Sequence, residues 1–220
     1  MIDARALVAI LAAFTLAIGC GQKKDPSRTG GPPADALASP AMSDTGVRMS
    51  ELRQRAQELA DVAARMPGRN AAEDRQLAAQ AFEKAVASLE LLAGPQPGGA
   101  FRQQLRIIGN TRNVLKSAAS DLSTDPAVDS GLRSVQQALV GVRERLFPDN
   151  DKVRPPLDAL AGRVNELDSV RGPLHSLVAA QAFEATSKVI DTMAQEMEGR
   201  ADATSNVTPP PPSPPPATQP

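Results

Sequence analysis

The sequence contains no tryptophan and no tyrosine, and aromatic residues make up only 2% of it. Aromatic side chains commonly serve as stacking platforms for bases and sugar rings, so this kind of recognition is nearly excluded. The formal net charge is -1, from 24 lysines and arginines against 25 aspartates and glutamates. A nucleic-acid-binding protein would need a basic surplus or a basic patch. We therefore expect no nucleic-acid partner.

Cysteine and histidine occur once each, as Cys20 and His175. A disulfide needs two cysteines, so no disulfide can form within the chain. A zinc site of the usual kind needs several Cys, His or carboxylate ligands, and a lone histidine offers little to build on. We predict that His175 is a partly exposed residue at the start of a helix. The alternative is that His175 acts as a general base. The sequence thus predicts no catalytic residue, no cofactor and no metal site.

Catalytic and ligand-binding motifs are missing as well. The chain has no Cys-x-x-Cys-His haem attachment, no Gly-x-Ser-x-Gly turn and no glycine-rich phosphate loop. Asp149-Asn150-Asp151 starts like a calcium loop, but Arg154 and Leu160 stand where such a loop requires glycine and glutamate. We interpret this segment as an acidic turn, and we predict that the protein is not an enzyme.

The N-terminus contains an apolar run from Ala6 to Ile18, followed by Gly19 and Cys20. Such a run suits a signal peptide and is shorter than the ~20 residues that span a bilayer. The segment Ala17-Ile18-Gly19-Cys20 resembles the lipobox of bacterial lipoproteins. The alternative is an ordinary signal peptide whose cysteine is incidental.

This resemblance implies a location and an anchor. Residues 1–19 would be removed as the signal peptide, and Cys20 would carry the lipid that holds the protein to the membrane. In lipoproteins of enteric-type bacteria, an aspartate after the cysteine implies retention in the inner membrane, so Gly21 implies the outer membrane. The body would then face the periplasm, where we expect a protein partner.

Composition divides the mature chain into a linker, a body and a tail. Residues 20–49 are rich in Gly, Pro, Ser and charge, and they are predicted to form the lipidated cysteine and a flexible linker. Residues 50–199 form the predicted body. Residues 200–220 end in a proline run that predicts a disordered tail. The tail either binds an aromatic groove or the cell wall, or is an unbound solubilising end, and we favour the second.

The body carries apolar residues at alternating steps of three and four, which is typical of helices packed along coiled-coil-like seams. Breaks at Pro67-Gly68, Gly94-Pro95, Phe147-Pro148 and Gly172-Pro173, together with Asp125-Pro126, predict about six helices. We therefore predict an all-α fold, an elongated antiparallel helical bundle built from three helical hairpins. The predicted seam residues are Leu52, Ala56, Leu59, Ala63 and Met66; Ala78, Phe82, Ala85, Leu89 and Leu92; Phe101, Leu105, Ile108, Leu115, Ala119 and Leu122; Val128, Leu132, Val135, Leu139, Val142 and Leu146; Leu157, Leu160, Val164 and Leu167; and Phe183, Ile190, Met193 and Met197.

Several positions carry more specific signals. Asn70 followed by Glu73 has the spacing of a capping box at a helix start, and Gly199 predicts a helix end. Arg112 occupies a seam position of the third helix. It either pairs with a facing carboxylate, or the helix rotates so that Thr111 or Val114 replaces it in the core, which we favour.

One pentapeptide occurs twice. Ala-Gln-Ala-Phe-Glu stands at residues 79–83 and again at residues 180–184. Duplication of a hairpin and chance similarity between alanine-rich helices remain equally open, because a repeat array would show more copies.

Two classes of function follow from these observations. The first is a non-enzymatic lipoprotein whose helical body scaffolds or binds another periplasmic protein. The second is a helical carrier of a small apolar ligand, since a cavity lined by alanine and leucine needs no motif.

Overall fold

The computed structural model describes residues 40–95, 97–117 and 124–205. These residues form six α-helices and one short 3-10 turn, and they contain no strand. In chain order the elements are α1 (Pro40–Ala63), α2 (Ala71–Ala93), α3 (Gly99–Ser117), α4 (Thr124–Leu146), α5 (Arg154–Glu166), the 3-10 turn (Leu167–Ser169) and α6 (Pro173–Ser205). The prediction of an all-α helical bundle is confirmed.

The helices pack as one bundle rather than as three independent hairpins. The predicted pairs α1–α2, α3–α4 and α5–α6 all pack together, but α2 packs about as closely on α3, and the most extensive packing joins α1 to α6. Helices α1 and α6 run antiparallel. Arg53 of α1 pairs with Glu198 of α6, whereas the later residue Ala56 accepts a 2.7 Å hydrogen bond from Ser187, which precedes Glu198 in the chain. The first and last described helices therefore close the bundle.

The core follows the predicted seams. Every predicted seam residue of α1, α2 and the α5 segment is buried, as are most of those in α4 and α6, whereas in α3 only Ile108 and Leu115 are buried. Four predicted seam residues are only partly buried: Phe101, Leu105, Leu146 and Met197. Two others, Ala119 and Leu122, lie outside the described residues.

The repeated pentapeptide places two phenylalanines against each other at the centre of the core. The rings of Phe82 and Phe183 meet edge to face, with centroids 4.9 Å apart and an interplanar angle of 81°. On α4, Gly131 lies against the Phe82 ring so closely that a Cβ there would stand 2.5 Å from Cζ. Burial along residues 77–93 repeats closely along residues 178–194. The two copies thus occupy similar environments, which both duplication and chance similarity explain.

The third helix rotates near Arg112, in agreement with the interpretation that we favoured. Thr111 is buried, and its hydroxyl donates to the Ala127 carbonyl oxygen at 3.4 Å. Arg112 is half-buried, and its guanidinium donates to the Asn113 side chain. Val114 is 42% exposed, so it does not take the core position that we considered for it.

The first helix begins earlier than we predicted. It starts at Pro40, inside the segment 20–49 predicted to be linker. Met49 is buried, and the Nε of Arg48 donates to the Leu91 carbonyl oxygen at 3.1 Å. Because carbonyls in the last turn of a helix lack partners within the helix, Arg48 satisfies one at the end of α2. The turn of α1 that contains Arg48 and Met49 is thus held by a part of the chain that is distant in sequence.

The last helix ends later than we predicted. It continues through Gly199 to Ser205, so the first six positions of the predicted tail are helical. The guanidinium of Arg200 lies 4.9 Å from the centroid of the Phe147 ring and donates to the Leu146 carbonyl oxygen at 2.6 Å. This cation–π contact and hydrogen bond attach the additional turn to the end of α4.

Two local signals are confirmed at helix ends. The Asn70 side chain accepts from the Glu73 backbone N–H at 3.0 Å, and the Glu73 carboxylate accepts from the Arg69 N–H at 2.7 Å. Gly94 ends α2 with φ of +73°, a conformation that favours glycine. These positions are fixed by short-range chemistry, and this is why the sequence predicts them.

Within the part of the chain that the structure describes, no helix is both long and apolar enough to cross a membrane. The predicted signal peptide (1–19), Cys20, the predicted linker as far as residue 39 and the proline run from residue 206 onward lie outside the described residues.

Candidate functional site

A cleft of about 440 Å³ opens at the end of the bundle where α2, α4 and α6 begin. We call it the His175 cleft. Its wall is formed by the α1–α2 loop, the last turns of α3 and the first turns of α2, α4 and α6. Three surface grooves of smaller volume lie between α5 and α6, α1 and α2, and α4 and α5, and they measure about 270, 370 and 330 Å³. The His175 cleft is thus the strongest candidate for a binding site among these four.

His175 is buried in the wall of this cleft, with only 2% of its surface exposed. Its Nε2 lies 2.7 Å from Oδ1 of Asp129, and its Nδ1 lies 3.5 Å from Oδ1 of Asp125. The Nε2–Oδ1 distance is that of a hydrogen bond, in which the ring N–H donates to the Asp129 carboxylate. The prediction of a partly exposed histidine is therefore wrong. Two carboxylates one turn apart on α4 draw the ring inward, since a buried polar ring needs partners.

A second polar link attaches the same turn of α6 to α2. The Ser176 hydroxyl donates to Oδ2 of Asp74 at 2.9 Å, and the backbone N–H of Gly68 donates to Oδ1 of the same carboxylate. The first turn of α6 is therefore held by α4 through His175 and by α2 through Ser176. Buried networks of this kind fix one relative placement of the helices when all members are satisfied.

These contacts leave little scope for acid–base catalysis by the histidine. Each ring nitrogen of His175 faces a carboxylate, and the neighbouring Ser176 hydroxyl is bound to Asp74 rather than to the ring. A general base needs a nitrogen within reach of the proton that it removes. The arrangement instead positions α6, which is a structural role, and it does not favour the alternative of a general base.

The lining of the cleft is apolar in its depth and charged at its mouth. Met66, Leu115 and Val128 are buried residues that reach the cleft from the α1–α2 loop, α3 and α4. Arg69 and Arg75 line it from the α1–α2 loop and the first turns of α2. The site can therefore offer both apolar contact and guanidinium donors to one molecule.

No metal centre stands out in the part of the chain described: it contains no group of three or more His, Cys, Asp or Glu side chains placed to hold an ion. In the acidic turn at 149–151, the Asn150 amide donates to Glu196 at 2.6 Å and Lys152 pairs with the same carboxylate at 2.8 Å. The hydrogen bond from Lys152, aided by Asn150, holds the pKa of Glu196 below its ordinary value. This turn therefore fastens the α4–α5 connection to α6.

An apolar pair is exposed on the outer side of the same first turns of α6. Leu174 is 61% exposed and Leu177 is 41% exposed, and their spacing of three places them on one helix face. The inward face carries His175, Ser176 and Ala179, all of which line the cleft. The beginning of α6 thus has a cleft-facing side and an exposed apolar side.

Sequence reasoning predicted one site residue, Cys20, which lies outside the described residues. It did not predict the cluster of His175 with Asp125, Asp129 and Asp74. The spacing of Asp125 and Asp129 places both carboxylates on one face of α4, and this signal was present in the sequence. The histidine that they face comes from a different helix, and no local pattern indicates that pairing.

Comparison of the chain with protein-family models, with curated proteins and with solved structures finds no match.

Proposed function

We propose that this protein is a bacterial envelope lipoprotein, anchored in the outer membrane through lipid on Cys20, whose helical body binds a periplasmic protein without catalysing a reaction. The lipobox-like segment 17–20 supports the anchor. The observation that carries the binding role is the exposed pair Leu174 and Leu177. Large apolar side chains grouped on a surface otherwise rich in charge are typical of interaction sites.

The anchor is tested by the substitution Cys20→Ser. Since only a cysteine accepts the lipid, we expect the variant to leave the outer-membrane fraction and to lack the lipid-modified mass of the wild-type chain. Membrane fractionation and intact-mass spectrometry measure the two effects. If the variant fractionates with the outer membrane as the wild type does, the anchor assignment fails.

The binding role is tested by site-specific photocrosslinking in intact cells. A photoreactive phenylalanine analogue in place of Leu177 should give a discrete crosslinked product with one envelope protein. The matched control is Val114, a residue of nearly equal exposure (42% against 41%) on α3. When the analogue replaces Leu174 instead, the additional substitution Leu177→Asp should abolish the crosslinked product. Equal products from Leu177 and Val114, or none from either, would contradict the proposal.

A second candidate function is the carriage of a small apolar ligand, and the His175 cleft favours it. Its volume of about 440 Å³ lies within the ~300–1,000 Å³ that is common for ligand pockets. Its depth is lined by Met66, Leu115 and Val128. Saturable binding of a hydrocarbon-chain ligand by the purified chain would support this candidate, and the absence of any such binding would remove it.

A further inference from the structure

We propose that the His175 cleft binds one molecule of an anionic amphiphile, with its hydrocarbon chain in the apolar depth and its acidic head at Arg69 and Arg75. This inference rests on the second candidate function and adds to it the chemical class of the ligand and the residues that select it.

The depth of the cleft is apolar and suits a hydrocarbon chain. Met66, Leu115 and Val128 are buried residues of the α1–α2 loop, α3 and α4, and each contributes to the lining. Ala78 and Ala179 add small side chains, which leave room rather than fill it. A flexible hydrocarbon chain suits such a surface because it removes apolar area from water without needing hydrogen-bond partners.

The acidic groups of the cleft already contact other groups of the protein. Both oxygens of Asp74 accept hydrogen bonds from the protein, and Asp125 faces the His175 ring. The guanidinium groups differ, because each carries five N–H donors and can hold a ligand in addition to a protein partner. Arg69 is exposed and Arg75 is half-buried, so both are reachable from the solvent side of the cleft.

The chemical class of the ligand follows from the apolar depth and the guanidinium groups taken together. Guanidinium groups bind carboxylate, sulfate and phosphate oxygens through paired N–H donors. A molecule that contacts both the apolar depth and the guanidinium groups has an apolar chain and one head group with such oxygens. The geometry therefore points to a single molecule taken from solution rather than to a membrane surface, since a bilayer cannot enter a cleft of about 440 Å³.

The test is isothermal titration calorimetry of the purified Cys20→Ser chain with decanoate and with decanol, which share a chain length and differ in the head. We expect decanoate to bind saturably, one molecule per chain, and about tenfold or more tightly than decanol, because hydrogen bonds to charged groups are the stronger ones. Arg69→Gln and Arg75→Gln should each weaken decanoate binding and leave decanol binding unchanged. Arg106→Gln, an exposed arginine of α3 that does not line the cleft, is the matched control.

A steric variant tests the location independently of charge. Ala71 is exposed at the start of α2 and lines the cleft, so Ala71→Trp should obstruct the cleft without entering the core. We expect this variant to lose binding of both ligands while its circular dichroism spectrum and unfolding midpoint stay close to those of the wild type. Unchanged decanoate binding by Ala71→Trp would overturn the proposal.

The remaining outcomes separate this inference from the function on which it rests. Equal binding of decanoate and decanol, lost in Ala71→Trp, would overturn the anionic head and leave a carrier of apolar ligands. No binding of either ligand would overturn both. Sedimentation of the Cys20→Ser chain with phosphatidylglycerol vesicles, lost in Arg69→Gln, would make the arginines a membrane-binding patch and would also overturn the proposal.

Discussion

The contact of Gly131 with the Phe82 ring predicts opposite effects for one substitution at two positions of the same helix. Alanine in place of glycine inside a helix normally stabilises a protein by about 0.5–1 kcal/mol. At Gly131 the added Cβ would lie 2.5 Å from Cζ of Phe82 and 2.8 Å from Cγ2 of Thr111. At Gly141, also within α4, an added Cβ meets nothing within 4 Å.

The magnitude follows from these distances. Carbon atoms in contact prefer separations of about 3.5–4.0 Å, so a methyl group at Gly131 must displace its neighbours by about 1 Å. Phe82 is fully buried and packs against Phe183, so its ring has little room to move. Overpacking of this kind costs about 1–3 kcal/mol. Because the propensity gain is common to both positions, Gly131→Ala should be less stable than Gly141→Ala by about 1–3 kcal/mol.

Urea unfolding followed by far-ultraviolet circular dichroism is the appropriate assay, because the chain has no tryptophan or tyrosine to report by fluorescence. A third variant tests the cause. Phe82→Leu removes the ring atoms that collide, so Gly131→Ala should destabilise the Phe82→Leu background much less than the wild type. If Gly131→Ala and Gly141→Ala stabilise the chain equally, the close approach that we describe does not limit position 131.

Two further predictions concern charged contacts. Asp129→Asn and His175→Gln should each lower the free energy of unfolding by about 1–3 kcal/mol, because each change leaves the other buried group without its partner. The double variant should therefore lose less than the sum of the two single losses. Additive losses, measured by urea unfolding, would contradict the pairing. The hydrogen bond from Lys84 holds the pKa of Glu58 below its ordinary value of 4.5. The folded state therefore gains stability from ionised Glu58 above that value and loses it as the pH falls through the lowered pKa. In Lys84→Met, the stability that is lost at acid pH should be smaller by at most roughly 0.2–1 kcal/mol, because both side chains of the pair are more than a third exposed. Identical pH profiles of stability for the wild type and Lys84→Met would refute the role of Lys84.

The seams of the bundle were predictable because burial in a helix repeats with the helical period. Leu52, Leu59 and Phe82 lie in the core where that period places them. The start of α2 was predictable for a similar reason, since Asn70 and Glu73 act on backbone groups within one turn. Both signals are contained within a few consecutive residues.

The helix ends and the cleft depend on partners far away in the sequence, and local patterns do not identify them. Arg48 attaches α1 to the end of α2 by donating to a carbonyl oxygen there, and Arg200 attaches the last turns of α6 by contacting Phe147. His175 is buried because its ring forms a hydrogen bond with Asp129, although 46 positions separate the two residues. In a sequence read alone, an arginine or a histidine near a helix end is as compatible with solvent as with such a partner.

The packing of α1 against α6 has a consequence for the synthesis of the chain. The hydrogen bond from Ser187 to Ala56 spans 131 positions, so the surface of α1 that α6 covers stays open until the ribosome has made nearly the whole body. Such uncovered apolar surface in a growing chain is prone to aggregation and is a target for chaperones. A premature stop before α6 should therefore yield a chain that cannot complete its fold, rather than a smaller folded protein.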